Sequence, residues 1–481
     1  MRAKSFGVRA ALALVGVVLA SAASAQPIDT PDCRSAARPI CDSITRFNPV
    51  TQTNENVHVQ CTCGERIIYD VDLQADIQCN GAVSPTVHNI GLVVCRPSLR
   101  IEGNGHKISL TNAASLNEYG SQGELKEIFG LLIEGESESN KLYSTRVEDL
   151  VITGFHRGIR VKNARGARLN DLNVSTNALF STSYGIDMTS GTETTSIRSY
   201  GNGTWVNRSE FASDPLVTGL RQRGIHCLVR GNGDEGIHAG EGAERTKIYK
   251  CAVANNGSTT TIAGENIYLQ QAEKTTIKSV CTWHANSVNG GRTQLKADGS
   301  YRTKVSDSVF QGVFLVQADD ERSELRGRLY DRPGADIVSG RVRLRGADGD
   351  VGEGGGSPTG GRYRGLSVYG RNACIDLERE DSRPMPAGNS FKYGCLSHCG
   401  DYDVEAAGGP VPTPNGHLPN VFQHFNSLDY DFGAYIQCGE DCVSSSIAAA
   451  CGSAPSWPAG CSPADNAPDA QRLACCDRYW D

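Results

Sequence analysis

A short phrase recurs along this chain and constrains its fold more than any other feature. It reads Gly158-Ile159-Arg160-Val161, Gly185-Ile186-Asp187-Met188, Gly236-Ile237-His238-Ala239 and Asn266-Ile267-Tyr268-Leu269. Gly158 to Gly185 is 27 residues, Gly236 to Asn266 is 30, and Asn266 to Thr293 is 27. A second run follows each phrase, with an apolar residue or Cys five positions before an Asn: Leu172 to Asn177, Ile197 to Asn202, Cys227 to Asn232, Cys251 to Asn256 and Cys281 to Asn286. Self-similarity at this period means stacked units that bury a shared core. The runs alternate with period 2 and are split by Gly, Asn, Ser and Thr, which is strand and turn chemistry. No helical stripe is evident after the N-terminal segment. The expected fold is all-β, a parallel β-helix whose strands pair with the units before and after them.

The repeated Asn residues suit left-handed turns and an amide ladder running from unit to unit. Cys227, Cys251 and Cys281 fall at equivalent places. A buried stack of thiols is expected there, with a disulfide among them as the alternative. By the same alternation Trp283 points inward.

Residues 1–25 read as a secretory signal: Arg2, Lys4 and Arg9, then an apolar run from Ala10 to Ala20, then Ala23-Ser24-Ala25. No later stretch offers 18 unbroken apolar residues, so no membrane span is expected. Secretion, extracellular or periplasmic, makes disulfides the default for the clustered cysteines among the 18 present. Net charge is -7 without large single-sign blocks, which argues against a nucleic-acid partner. It leaves an acidic sugar polymer open, because the local charge of a groove decides that. A single chain is the expected working unit.

The organisation expected is a signal over 1–25, a Cys-rich N-terminal cap and first coils over 26–100, and regular repeats over 101–315. Irregular coils with a Gly-rich loop follow over 316–400, and a Cys-rich C-terminal tail or cap over 401–481. Asp348-Gly349-Asp350 in the Gly-rich loop is only faintly like a calcium loop. Of the glycosylation sequons, Asn173 and Asn207 are the usable ones, since Asn202 and Asn256 are claimed by the ladder.

The opening segments carry a resemblance. Tyr69-Asp70-Val71-Asp72-Leu73 with Ile77-Gln78-Cys79, then Gly91-Leu92-Val93-Val94 and Leu99 to Ile108, resemble the first coils of secreted right-handed β-helix proteins of the pectin-lyase-like superfamily. Gly233 to Gly240 and Glu265 to Leu269 are similar to its repeat coils, so the likeness covers roughly residues 60–315. It implies a right-handed parallel β-helix (solenoid) with disulfide-rich caps at both ends. It does not imply one activity, because that superfamily hosts lyases, hydrolases, epimerases and non-enzymes. The paired-Asp and Gly-His-Gly signatures of polygalacturonase-type hydrolases are missing. So are the Asp-His signature after a Trp of pectate lyases and the Asp-Pro-His-Asp motif of mannuronan epimerases.

Side chains alternate across a strand, so the residue after each inward Ile points out. That row reads Arg160, Asp187, His238, Tyr268 and, by alignment, Gln294. Two positions on, Lys162, Thr189, Gln270 and Lys296 form a parallel row. Asp234, Glu235, Glu265 and Arg292 sit just before the strands. Such a set suits proton abstraction beside a uronate carboxyl, which needs a cationic clamp and a tuned base. The candidate catalytic residues are His238 and Tyr268 as base and acid, with Lys296, Arg160 and Asp187. Candidate substrate-binding residues are Lys162, Glu235, Glu265, Gln270, Arg292 and Gln294. Asp234 is the candidate calcium ligand, calcium being the one cofactor considered. The expected partner is an acidic polysaccharide, attacked by a lyase or C5-epimerase. Two other readings stay open: a glycoside hydrolase using Asp187 with Asp234 or Glu235, and a non-catalytic carbohydrate-binding or adhesive protein with a merely wet outer face.

Overall fold

A computed structural model gives the architecture. It describes residues 61–80, 89–111, 128–177, 183–257, 264–284 and 292–317 without a break, with shorter segments from 31 to 58 and from 324 to 480. The signal segment, the Asp348-Gly349-Asp350 loop and Asn286 lie outside the described residues.

The described chain is mostly short strands in long parallel sheets. One sheet has 12 strands and another 23. The larger holds two files of strands joined at Ser390–Ser397, which pairs with both Arg362–Arg364 and Ser367–Tyr369. The chain visits the three files in rotation. Arg157–Lys162 lies in the twelve-stranded sheet, Arg168–Asn170 in one file of the larger sheet and Asn173–Ser175 in the other, and Tyr184–Met188 returns to the first. Each strand pairs in parallel with its equivalents one circuit earlier and later, as Asn173–Ser175 does with Val151–Thr153 and Leu228–Arg230.

Alternation supplies the core. Ile159, Ile186, Ile237, Ile267 and Leu295 stack in register in the twelve-stranded sheet, and all are fully buried. Leu169, Ile197, Ile248, Ile277 and Val305 do the same in the Arg168 file. Each such side chain contributes about 1.5–3 kcal/mol by leaving water.

The glycine of the recurring phrase has a steric cause. A Cβ on Gly158 would lie 2.6 Å from the Gly185 carbonyl oxygen, and one on Gly185 would lie 2.5 Å from that of Gly236. The same imagined atoms would strike the Asn177, Asn232 and Asn256 side-chain amides at 2.4–2.7 Å from the positions of Gly158, Gly185 and Gly236. The glycine column and the asparagine ladder therefore occupy one crowded corner. Within the ladder, the Asn177 side chain donates to Asn232 Oδ1 (3.1 Å) and Asn232 to Asn256 Oδ1 (2.7 Å). Asn256 then donates to Asn266 Oδ1 (2.7 Å), and Asn266 to Gln294 Oε1 (2.6 Å).

This corrects the sequence reading at three points. Asn266 replaces a glycine of the phrase and becomes a rung itself. Gln294 is the next rung and fully buried, not a member of the outward row. Asn202 is exposed and outside the ladder, because the chain leaves the circuit there. The left-handed residues of this corner are Thr176, Gly231 and Asn255, each one before a rung.

The excursion from Ser199 to Cys227 contains a helix, Pro215–Gln222, which the strand pattern did not anticipate. Asp214 caps it, accepting from the Leu216 N–H at 2.9 Å, and Pro215 fits the first turn because no N–H is needed there. Its apolar side joins the C-terminal helices Asp469–Ala474 and Asp477–Trp480 over the outer face of the Asn173 file. Leu216, Leu220, Leu473 and Trp480 cover Leu228, Ala252, Ala254 and Trp283 there. Trp283 thus points outward into this second cluster, contrary to the alternation assigned from sequence, and donates to Asp469 Oδ1 at 2.9 Å.

The repeat cysteines are not a stack of thiols. Cys227 pairs with Cys251, and Cys281 pairs with Cys476 across 195 residues. Cys281 is opposite Ala252 in register, so it lies one position past the Cys251 column and faces out. Near the N-terminus Cys33 pairs with Cys95, Cys41 with Cys61 and Cys63 with Cys79. Later, Cys374 pairs with Cys399, Cys395 with Cys451 and Cys438 with Cys442. No described cysteine is free, which fits an oxidising compartment. No helix among the described residues is long and apolar enough to cross a membrane.

Asn173 is fully buried against the covered face, so a glycan on it has no room in the folded chain, which corrects the sequence reading of that sequon. Asn207 is exposed.

Candidate functional site

The outer face of the twelve-stranded sheet brings four of the five candidate catalytic residues into one register: Arg160 opposite Asp187, Asp187 opposite His238, and His238 opposite Tyr268. Lys296 is opposite Tyr268 and completes the row. It takes the place that alignment gave to Gln294. The error is one of register: pairing sets Ile267 opposite Leu295, so the row falls on Lys296, two positions past Gln294.

Asp187 is the centre. It is fully buried, accepts from His238 Nδ1 at 2.8 Å, and pairs with Arg157. Arg160 Nε lies 4.0 Å away. Burial by itself would raise the Asp187 carboxyl. The hydrogen bond from His238 and the Arg157 and Arg160 charges outweigh that and hold it down at about 2.

An ionised Asp187 can only accept, so it holds a proton on His238 Nδ1 and turns Nε2 away from the pair. The imidazole is also clamped by aromatics. Tyr184 stacks on it at 5.2 Å between centroids, and Tyr268 leans on its other side at 5.5 Å. Its remaining edge faces Gly240, where a Cβ would lie 3.0 Å from Cε1 and 3.4 Å from Nε2. Glycine keeps that edge clear.

Tyr268 donates from its hydroxyl to Asp298 Oδ2 at 3.2 Å. Lys296 Nζ sits 4.6 Å from the Tyr268 ring centroid and 3.6 Å from Asp298 Oδ2. An ammonium thus lies over a phenol ring whose hydroxyl donates to a carboxylate.

A cluster of acids adjoins the row. Burial first, then Asp234 and Glu265, push the Glu235 carboxyl up to about 9. Burial, with Asp234 and Asp298 adding to it against Lys296, raises Glu265 to about 7. Asp234 is raised by burial. Glu235 Oε2 has no hydrogen-bond partner. Near neutral pH this corner therefore holds protons, beside a fully ionised Asp187. Burial, then Glu235, Asp234 and Asp187, likewise push the Tyr184 hydroxyl up.

The other sequence candidates lie apart from this centre. Lys162 pairs with Glu134 at 3.3 Å. Gln270 is opposite Asp298 in register, in the second row. Arg292 donates to the Gly257 carbonyl at 3.1 Å.

Arg157, Tyr184, Asp298 and Gly240 were missed from sequence. A signal existed for two of them. Arg157, Tyr184, Glu235 and Glu265 each stand immediately before a Gly or Asn of the recurring phrase, and Arg157 is opposite Tyr184 in register.

No protein-family model matches the chain, and no curated protein does. Among solved structures, a Geobacillus virus E2 protein described as ORF18 is similar at 11% identity and a TM-score of 0.33, over 80% of this chain and 56% of that one. The chain thus spans little more than half the length of that protein. An alginate lyase from Paenibacillus sp. str. FPU-7 is similar at 12% identity and a TM-score of 0.26, over 76% of this chain and 93% of that one. Overlaps this low carry no functional inference.

Proposed function

We infer that this chain is a secreted enzyme that acts on an acidic polysaccharide, removing the proton beside a uronate carboxyl as a lyase or C5-epimerase. In this reading the three files form a right-handed parallel β-helix of the pectin-lyase-like kind. Disulfide-braced segments over 26–100 and 401–481 cap it, and it works as a single chain. The observation that carries the reading is the Asp187–His238 pair, flanked by Tyr184 and Tyr268 and bordered by Arg157, Arg160 and Lys296.

The chemistry follows from those contacts. Lys296 and Arg160 neutralise the substrate carboxylate, which acidifies the adjacent C5 proton. His238 Nε2 takes that proton, and Asp187 stabilises the imidazolium that results. The Tyr268 hydroxyl then gives a proton either to the leaving glycosidic oxygen, completing elimination, or to the opposite face of C5, completing inversion. The second proton of either cycle returns through solvent.

Asp234 is the proposed calcium ligand, with Glu235 and Glu265 beside it. Asp234 offers a carboxylate oxygen, a donor type calcium favours, whereas the Asp234, Glu235 and Glu265 carboxyls do not all lie within 4.8 Å of one another. A bound calcium would supply further neutralisation of a uronate.

One observation favours a second reading. Asp187 is held at about 2 and Glu235 at about 9, carboxyls pushed in opposite directions as in the acid and base of a glycoside hydrolase. Assay of polymannuronate, polygalacturonate and glycosaminoglycans separates the classes. A lyase gives ultraviolet absorbance from an unsaturated product, a hydrolase gives reducing ends without it, and a binding protein gives neither. His238→Ala is expected to lower turnover by about 10²–10⁴-fold. Undiminished turnover in that variant rules out His238 as the base.

A further inference from the structure

His238 stands in the middle of a stack that runs from circuit to circuit. The Arg157 guanidinium carbon lies 5.1 Å from the Tyr184 ring centroid. Tyr184 lies 5.2 Å from the imidazole, with the two planes 25° apart. Tyr268 follows on the other face at 5.5 Å and 32°. Lys296 Nζ ends the stack, 4.6 Å from the Tyr268 centroid. Both faces of the imidazole are therefore covered, and its Nδ1 belongs to Asp187. The edge that remains carries Cε1 and Nε2 and lies against Gly240. The His238 side chain is 11% exposed, so a substrate meets the ring through this edge and not through a face.

The Tyr268 hydroxyl turns the same way. Leu269 is opposite Ala239, which puts Gln270 beside Gly240, and Asp298 is opposite Gln270. Gly240, Gln270 and Asp298 thus belong to one outward row. His238 Nε2 leans against the first of them, and the Tyr268 hydroxyl donates to the last, at 3.2 Å from Asp298 Oδ2. Base and acid come from neighbouring circuits, about 4.8 Å apart, and face one row. A sugar ring between them would need roughly 7 Å, two carbon contacts of about 3.5 Å each. The 5.5 Å between the imidazole and phenol centroids leaves no such gap. His238 and Tyr268 therefore reach the same face of any sugar laid over them.

We propose that the site carries out syn elimination, and so takes 1,4-linked uronates whose C5 hydrogen and C4 oxygen lie on one face of the ring. This deepens the reading of His238 as base and Tyr268 as acid, and rests on it. Manno- and gluco-configured uronates meet the condition. In galacturonate and guluronate the C5 hydrogen and C4 oxygen lie on opposite faces, so one of the two groups would have to act from beyond the ring. In the step itself, His238 Nε2 takes the C5 proton and the C–H electron pair becomes the C4–C5 double bond. The C4–O bond breaks, and its oxygen takes the Tyr268 hydroxyl proton. One proton is removed and one delivered, and the products are a 4,5-unsaturated uronate and a sugar hydroxyl. His238 then loses its proton to solvent and Tyr268 regains one. The same contact favours elimination over inversion, because inversion needs a donor on the far face of C5.

The test compares homopolymers of equal length with the full chain: polymannuronate and 1,4-linked polyglucuronate against polyguluronate and polygalacturonate. Unsaturated product is followed by absorbance, and the recovered sugars are examined by NMR. Turnover of polymannuronate or polyglucuronate is expected to exceed that of the other pair by about 100-fold or more, the contribution of one positioned acid or base. No guluronate should appear in recovered polymannuronate. Tyr268→Phe keeps the ring and the stack, and should lower kcat on the preferred polymer by about 10²–10⁴-fold with KM little changed. Faster turnover of polyguluronate or polygalacturonate overturns the syn assignment while leaving the lyase reading in place. Inversion at C5 or full activity in Tyr268→Phe overturns it as well. Absence of unsaturated product from every polymer would instead remove the lyase reading itself, and this inference with it.

Discussion

At the scale of single residues, the site depends on how neighbours divide charge. Asp187 stays ionised although fully buried, because His238, Arg157 and Arg160 all favour its anion. Gly240 matters through what it lacks. Gly240→Val would press on the imidazole edge, where even a single Cβ meets Cε1 at 3.0 Å. The expected result is a fall in kcat of about 10–100-fold with thermal stability nearly unchanged. Wild-type kcat in that variant would mean that the open edge is not used.

Glu235 gives a prediction with a sign. An unfolded chain ionises this group near its ordinary value of 4.5, whereas the folded chain keeps the proton up to about 9. The folded state binds more protons across that window, so its contribution to stability is present at low pH and lost as pH rises towards 9. The loss is at most about 1.4 kcal/mol per pH unit from one group. Glu265, raised to about 7, adds a loss of the same sign up to that pH. Thermal melts of Glu235→Gln should therefore decline less than those of the wild type between about pH 6 and pH 9. Parallel declines would contradict the buried, protonated assignment.

At the scale of the element, the sequence was legible where alternation alone decides. The inward Ile column and the outward row from Arg160 to Tyr268 follow from period 2 and the recurring phrase. It was not legible where a shift of register intervenes. Gln294 and Lys296 differ by two positions, and the pairing of their strand with Ile267–Gln270 decides which lies in the row. Cys281 was placed with Cys251 by spacing from an Asn, yet parallel pairing sets it against Ala252. The ladder was foreseen as a run of asparagines. Its continuation through Asn266 and Gln294 was not, because those rungs enter from the glycine column.

The ladder's worth is measurable. Asn232→Ala would strand the Asn177 backbone N–H and remove one of two donors from Asn256 Oδ1, which keeps the Asn232 backbone N–H at 3.1 Å. Leaving buried polar groups unpaired costs about 1–3 kcal/mol each. A loss of about 3 kcal/mol in denaturant melts is the expected outcome. A loss below about 0.5 kcal/mol would mean that water replaces the rung at little cost.

At the scale of the whole molecule, stacking turns a local rule into long outward rows. Three files give three faces, and their fates diverge. One is sealed by the Pro215–Gln222 helix and the C-terminal helices, tied by Cys281–Cys476 and by the bond from Arg223 to Asp477 at 2.7 Å. Sequence reading missed this cover because a two-turn helix carries little periodic signal. The second face gathers the Asp187–His238 centre, and the third carries the outward positions of the Arg168 file.

The central claim is that His238 removes a C5 proton from a uronate. Incubation of polymannuronate or polygalacturonate with the protein in deuterium oxide, followed by NMR of the sugar, tests it most directly. The account predicts an unsaturated uronate or deuterium at C5, with both lost in His238→Ala. Chains recovered with C5 fully protonated and no unsaturated end, from every polyuronate tried, would contradict it.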